Sequence, residues 1–251
     1  MRKFFVEENQ ISDSNIIITG EDVNHIKNVL RLEPGTRIKV CDRENSINYI
    51  SEITTLSSNE VICKIVEKVE GVAESNVKLH IYQGLPKADK MELIIQKCTE
   101  LGAYEFIPVE MKRSIVKVSG KDADKKVDRW NKISEVAAKQ SGRDVIPKVR
   151  NIINIKTLIN EINGYDLVLL AYEEENVNYI KNELTKVKED GKDYNIAVII
   201  GPEGGLDPEE VNLLKEAGAK VVTLGTRILR TETAPIMITS CIMYELENGG
   251  K

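Results

Sequence analysis

Histidine is scarce in this chain: His25 and His80 are the only two among 251 residues. They lie far in sequence from the glycine-rich segments described below, so a Ser-His-Asp hydrolase or a histidine-bound metal centre has little to be built from. The four cysteines, Cys41, Cys63, Cys98 and Cys241, are widely spaced and form no CxxC pair. That spacing signals neither a zinc knuckle nor a thioredoxin-like site, and it is the usage expected of a reduced, cytoplasmic protein. With 7 Pro and 16 Gly the composition is neither collagenous nor of low complexity. Apolar runs are short as well, and none approaches the roughly 18 residues of a membrane span. The N-terminal Met1-Arg2-Lys3-Phe4-Phe5-Val6 runs directly into Glu7 and Glu8 without the apolar centre of a signal peptide, so neither export nor membrane insertion is expected. No internal repeat of about 20 to 50 residues is visible.

What is present is an ordinary globular balance, 41% hydrophobic and 30% charged, in a length that suits one large domain or two modest ones. The net charge of −5 excludes a protein that coats nucleic acid indiscriminately, because that mode needs a large positive excess. The charge is unevenly spread, however. Residues 78–150 hold 16 basic and 10 acidic side chains (+6), between a segment 1–70 with 9 and 12 (−3) and a segment 151–251 with 10 and 17 (−7). A basic middle between acidic flanks suits a phosphate-bearing partner, or else forms a solvated lysine-rich surface.

The pattern of elements divides the chain. Up to about Lys68, short apolar runs such as Ile16-Ile17-Ile18, Arg37 to Val40, Ile47 to Ile50 and Val61 to Val66 predict strands of a small barrel or sandwich. One helix interrupts them after Asp22 and ends at Leu32-Glu33-Pro34-Gly35. The stretch from Glu70 to Asn76 reads as a linker. Beyond it, strand-like runs at Leu79–Tyr82, Phe106–Val109, Leu167–Leu170, Ile196–Ile200 and Val221–Leu224 alternate with helical patterns, which predicts an α/β domain with a mostly parallel sheet. Met91, Ile94, Ile95, Cys98 and Leu101 mark a helix stopped by Gly102, and Trp130, Ile133 and Ala137 mark another before Gly142. A third starts with Asp207, Pro208 and Glu210 in a capping-box arrangement and ends at Gly218. The last helix, about Ala234 to Glu247, has almost no polar face, so it is either a central core helix or half of a subunit interface. The second reading is preferred.

Two segments carry the chemistry. Gly201-Pro202-Glu203-Gly204-Gly205 follows a fully apolar strand, where glycines let the backbone turn sharply and approach a ligand at the carboxyl edge of the sheet. It is neither a Walker loop nor a GxGxxG turn. The second segment, Leu224 to Pro235, sits between an apolar strand and an apolar helix yet holds Arg227, Arg230 and Glu232. Charges in such surroundings are either paired with one another or functional. A third strand edge, Leu170-Ala171-Tyr172 followed by Glu173-Glu174-Glu175, lies where a pocket could be completed, although the acidic run reads more simply as solvated.

GPEGGLDPEEV (201–211) and LGTRILRTETA (224–234) closely resemble the SPOUT methyltransferases, whose C-terminus is tied in a trefoil knot. More narrowly they resemble the RsmE-like bacterial 16S rRNA uridine-N3 methyltransferase family. HIKNVLRLEPG (25–35), GLPKADKMELIIQKCTELG (84–102) and RWNKISEVAAKQSGR (129–143) are similar to that family too, so the resemblance spans nearly the whole chain. Thr226 departs from it where the family commonly has proline. The resemblance implies a PUA-like, RNA-binding β-barrel over residues 1–72 and a SPOUT α/β domain over 73–251. It further implies a homodimer through the C-terminal helix and S-adenosylmethionine as methyl donor. The product would be N3-methyluridine at the position known as U1498 of 16S rRNA within the 30S subunit. By the same resemblance Leu170, Tyr172, Gly201, Pro202, Glu203, Gly204, Gly205, Leu224, Gly225, Ile228, Leu229 and Arg230 would line the cofactor. Arg230 would stabilise charge on the uracil, and Glu203 or Glu232 would accept its proton. Arg31, Lys87, Lys90, Lys97, Arg113, Lys139 and Arg143 are the expected RNA contacts. Two rivals remain at this point: methylation of a ribose 2′-oxygen, and a non-catalytic RNA-binding assembly factor.

Overall fold

A computed structural model describes all residues except 72, 119, 188–191 and 248–251. Residue 72, where the sequence reading divides the chain, therefore lies outside the described residues. The chain forms two compact units, one of Met1–Glu74 with Ala138–Ile146, the other of Ser75–Ala137 with Pro147–Lys251.

The first unit is built on β1 (Lys3–Val6), β2 (Asn15–Thr19), β3 (Arg37–Asp42), β4 (Asn48–Leu56) and β5 (Glu60–Val69), with α1 (Glu21–Asn24) continuing into a π-helical turn over His25–Val29. The sheet order is β1-β3-β4-β5-β2, with β1 parallel to β3 and the other pairs antiparallel. Register shifts at Ile50/Ser51 and Ile53/Thr55 bend β4, as bulges do, and curl the sheet around Phe4, Ile16, Ile26, Val40 and Ile53. The polar segment read as a linker is anchored rather than loose. Ala73 N–H donates to Asp144 at 3.0 Å, and Glu74 takes a bidentate grip from Arg143, with Nη2 2.6 Å from Oε2. Asp144 is buried, ion-paired to Lys3, and accepts from Asn48 at 2.7 Å.

The second unit runs β6 (Val77–Gly84), α2 (Lys90–Glu100), β7 (Glu105–Glu110), α3 (Lys121–Ser141, whose residues from Ala138 on belong to the first unit), β8 (Lys148–Val149), β9 (Ile153–Asn154) and α4 (Ile155–Glu161). It continues with β10 (Leu167–Ala171), α5 (Ile180–Val187), β11 (Tyr194–Ile200), α6 (Pro208–Glu216), β12 (Lys220–Val222) and α7 (Thr233–Leu246). The strand order is β12-β10-β11-β6-β7-β8, with β9 also on β7, and every pair is parallel. Strand β11 is apolar at consecutive positions because both faces are covered: Ile196 and Val198 enter one core cluster, Ala197 and Ile199 the other. The capping box of α6 is formed, with Asp207 accepting from the N–H of Glu209 at 3.1 Å. Helix α7 is not covered all round by the described residues. Ile238, Ile242, Met243 and Leu246 are buried, whereas Met237, Ser240 and Cys241 are only half-buried and Tyr244 is 74% exposed.

Candidate active site

Parallel register brings three strand ends to one level. Ala171 pairs with Ile200 on one side and with Val222 on the other, so the loops after β10, β11 and β12 leave the sheet together at its carboxyl edge. They enclose a cavity of about 420 Å³ lined by Tyr172, Gly201, Pro202, Gly205, Leu224 and Gly225 among others. The first loop closes on itself: Gly205 N–H donates to Pro202 O at 2.9 Å, and Gly205 holds φ +70°, a left-handed backbone that glycine adopts freely. In the second, Thr223 Oγ1 accepts from Gly225 N–H at 3.2 Å while Gly225 takes φ +118°.

The two loops are stitched together beneath the cavity. Thr231 Oγ1 donates to Gly201 O at 2.7 Å and accepts from Gln83 Nε2 at 3.0 Å, and Gln83 and Thr231 are both buried. Sequence reasoning passed over this pair. The available signal was a glutamine inside the otherwise strand-like Leu79–Gly84, since a buried amide must find partners. A close approach fixes the end of β6 in the same way: a Cβ on Gly84 would stand 2.6 Å from Pro202 N.

Charge gathers on one side. Lys90 Nζ lies 2.9 Å from Glu203 Oε1 and 3.3 Å from Glu232 Oε2, and Glu203 Oε1 also accepts the Lys87 N–H at 2.9 Å. Burial works against ionisation of Glu203, but the Lys87 N–H and Lys90 outweigh it and hold the carboxyl below its ordinary range. The hydrogen bond to Glu203 is also the main reason the Lys90 ammonium is held more firmly than usual. The ion pair between Arg230 and Glu232 is a long one, with Nη1 4.0 Å from Oε1 and the arginine side chain 84% exposed.

Of the residues expected to line the cofactor, Leu170 and Gly204 do not face the cavity. Leu170 is buried in the core on one face of the sheet, and Gly204 lies against Arg113, whose Nη1 donates to its carbonyl at 3.3 Å. Glu173, Arg227, Thr231 and Ala234 line the cavity without having been expected to. The expected RNA contacts scatter. Arg31, Lys87 and Arg113 are exposed, with Arg31 in a left-handed conformation at φ +51°. Lys90 belongs to the cavity, and Lys97 pairs with Glu100 on its own helix at 2.9 Å. Lys139 is held 2.9 Å from Asp22, and Arg143 is buried against Glu74, so neither is presented as a surface cation.

A parallel sheet with a glycine-lined cavity at its carboxyl edge, followed by a charged loop and a closing apolar helix, is the arrangement of the SPOUT-type α/β methyltransferases. The sequence profile of an RNA methyltransferase domain matches residues 73–243, and that of an RNA methyltransferase PUA domain matches residues 18–66. The chain is 38% identical to the ribosomal RNA small subunit methyltransferase E of Bacillus subtilis, covering 98% of each. It is 34% identical to that of Mesomycoplasma hyopneumoniae, over 96% of this chain and 99% of the relative. A crystal structure of the Neisseria gonorrhoeae enzyme of that name, bound to S-adenosyl methionine, superposes with a TM-score of 0.87 at 28% identity, over 99% of both chains. A Legionella pneumophila methyltransferase in complex with the same cofactor gives 0.84 at 27%, over 96% of both. The chain belongs to the ribosomal RNA small subunit methyltransferase E family.

Proposed function

We propose that this chain is a cytoplasmic, S-adenosylmethionine-dependent methyltransferase acting on N3 of a uridine in 16S rRNA, the position known as U1498, within the 30S subunit. The observation that carries the reading is the glycine-lined cavity at the common edge of β10, β11 and β12, with Lys90, Glu203 and Arg230 in its wall and Glu232 next to Lys90 and Arg230 just outside that lining. Its volume of about 420 Å³ lies in the range of small-molecule cofactor sites. Gly201, Gly205 and Gly225 line the cavity with bare backbone, and Tyr172, Leu224, Ile228 and Leu229 supply apolar wall, so the residues present fit an organic cofactor with an adenine and a short charged chain. Bound there, S-adenosylmethionine supplies a methyl group already activated by its sulfonium.

The protein then has to align a uracil and manage one proton. Glu232 is the proposed proton acceptor, because Glu203 Oε1 is engaged by both the Lys87 N–H and Lys90 at 2.9 Å, whereas Lys90 stands 3.3 Å from Glu232. Arg230, largely exposed, is free to turn toward the uracil oxygen on which charge develops as N3 is deprotonated. Arg31, Lys87 and Arg113 contact RNA phosphates, with residues 1–72 acting as the RNA-binding PUA-like barrel and 73–251 as the SPOUT domain with a knotted C-terminus. The partly uncovered side of α7, with Met237, Cys241 and Tyr244, supports a homodimer through that helix.

The test is methylation of purified 30S particles and of naked 16S rRNA, followed by nuclease digestion and mass spectrometry of nucleosides. N3-methyluridine, made on the particle, is the expected product. A 2′-O-methylated nucleoside would move the enzyme to ribose chemistry, and cofactor binding without any transfer would make it an assembly factor.

A further inference from the structure

Lys90 occupies a costly position. It opens α2, where a cation opposes the helix dipole, and the residue two before it, Ala88, is held at φ +51°, a conformation side chains other than glycine's seldom adopt. Neither feature favours the helix itself. Both serve to bring the Lys90 ammonium between two carboxylates on different loops, 2.9 Å from Glu203 Oε1 and 3.3 Å from Glu232 Oε2. Oxygens that share one nitrogen at those distances are close enough for each negative charge to discourage the other, as in any paired-carboxylate site. Besides Lys90 and Glu203, the charged or titratable groups that line the cavity are Glu173 and Tyr172 after β10, and Arg227 and Arg230 before α7, while Glu232 stands just outside that lining and adjoins it at Lys90 and Arg230. Arg230, the one whose distance to Glu232 is fixed, is 4.0 Å from it and points largely into solvent. Lys90 is therefore the close cation common to both carboxylates.

We infer that Lys90 is a positioning residue that keeps Glu203 and Glu232 ionised together, and so sets the lower pH limit at which Glu232 can take the imide proton of its substrate. The inference rests on the function proposed above and reassigns Lys90 from RNA contact to the reaction centre. The step it governs is a proton transfer: the N3–H proton passes to a Glu232 oxygen, the electron pair stays on N3, and the carboxylate becomes neutral. Without the ammonium, the two carboxylates share a proton at higher pH, and the acceptor is blocked over a wider acidic range.

The test compares the whole chain with Lys90→Met and Lys90→Arg by two readouts. The first is a ¹³C NMR titration of glutamate carboxyl carbons in the unliganded protein, with Glu203→Gln and Glu232→Gln identifying the two signals. Loss of a cation within about 4 Å raises a carboxylate by about one to three pH units, and partial exposure of Lys90 puts the expectation at the low end. Lys90→Met should thus shift one carboxylate upward by about one unit, and Lys90→Arg should restore it. The second readout is the pH profile of kcat/KM on 30S particles, whose acid limb should move upward by the same amount, with turnover recovering as pH rises. Unmoved carboxylate midpoints, or a loss of turnover equal at every pH, would overturn the inference. Should Lys90→Met fail to give a cooperative thermal transition, Lys90→Gln removes the same charge with a polar side chain. If the wild-type chain transfers no methyl group, the functional reading fails, and the NMR titration still decides whether Lys90 governs the two carboxylates.

Discussion

Replacing Gly84 by Ala tests how the cavity is held open. The added Cβ would stand 2.6 Å from Pro202 N, 2.7 Å from Pro202 Cδ and 2.9 Å from Met111 Sδ, against ordinary carbon contacts of about 3.5 Å or more. Met111 can swing aside, but Pro202 presents a backbone nitrogen inside a rigid ring, so the end of β6 and the glycine loop must separate by several tenths of an ångström. Overpacking of this kind costs about 1–3 kcal/mol, which for a domain of this size lowers the melting temperature by about 2–12 °C. The displacement falls on the loop whose Gly201 carbonyl is held by Thr231 at 2.7 Å and Gln83 at 3.3 Å. Cofactor binding must then restore the loop, at about tenfold in Kd for every 1.4 kcal/mol recovered. Calorimetry should show a lower melting temperature together with S-adenosylmethionine affinity weakened by about tenfold or more. Gly164→Ala is the control, because a Cβ there meets nothing within 4 Å. A Gly84→Ala protein that melts and binds like the wild type would refute the claim that this close approach shapes the cavity.

Arg230→Ala should leave thermal stability within about 0.5 kcal/mol, since its side chain is 84% exposed, while methyl transfer to 30S particles falls by about 10²–10³-fold. Near-normal turnover would remove Arg230 from the mechanism. Joint replacement of Lys87 and Arg113 by Ala keeps the backbone N–H that Lys87 gives Glu203 but releases the Gly204 carbonyl and Asp207 from Arg113, so the slope of log affinity for rRNA against log salt should flatten by about 0.7–0.9 per lost phosphate contact while calorimetry checks that S-adenosylmethionine still binds. An unchanged slope would take both residues off the RNA surface. Asp144→Ala should cost about 3–5 kcal/mol, measured by denaturant unfolding, because it leaves Lys3 buried without its partner. Burial resists ionisation of Asp144, yet Lys3, the Ala73 N–H and Asn48 hold its folded pKa below the ordinary value. Its contribution is therefore present above the ordinary aspartate pKa and drains away as pH falls through the lowered one, and acid unfolding of Asp144→Ala should lack that component.

The α/β half was legible because its strands and helices announce themselves by period and punctuation. Val198 and its neighbours are apolar without alternation, as a two-sided burial demands, and Asp207, Pro208 and Glu210 mark the start of a helix that begins at Pro208. Both site loops were legible for the same reason, since glycines after a buried strand have few other uses. What sequence could not display was which polar side chains meet across loops. Gln83 at the end of an apolar strand signals a buried amide in need of partners but not which ones, and its bond to Thr231 joins residues 148 positions apart. The segment from Glu70 to Asn76 does contain the division between the two units, at Glu74 and Ser75; what its small and polar composition could not display is that Ala73 and Glu74 are fixed by Asp144 and Arg143, which arrive from far along the chain.

The same limit governs charge. A segment sum of +6 treats every cation as available to a partner, whereas the fold pairs many of them internally. Lys112 lies 2.9 Å from Glu209, Arg129 2.8 Å from Glu92, Lys139 2.9 Å from Asp22, Arg143 2.6 Å from Glu74 and Arg150 2.6 Å from Glu161. Several of those acids lie outside the segment, so the sum counted the cation and left its partner to another account. A cation already holding a carboxylate gains little by meeting a phosphate, because it must give up one anion to take the other. RNA affinity in this chain should accordingly rest on a few exposed residues and on the shape of the folded particle, and its dependence on salt should be modest. That is the behaviour the proposed selection of one base in a structured target requires, and it follows from how the charges are paired rather than from how many there are.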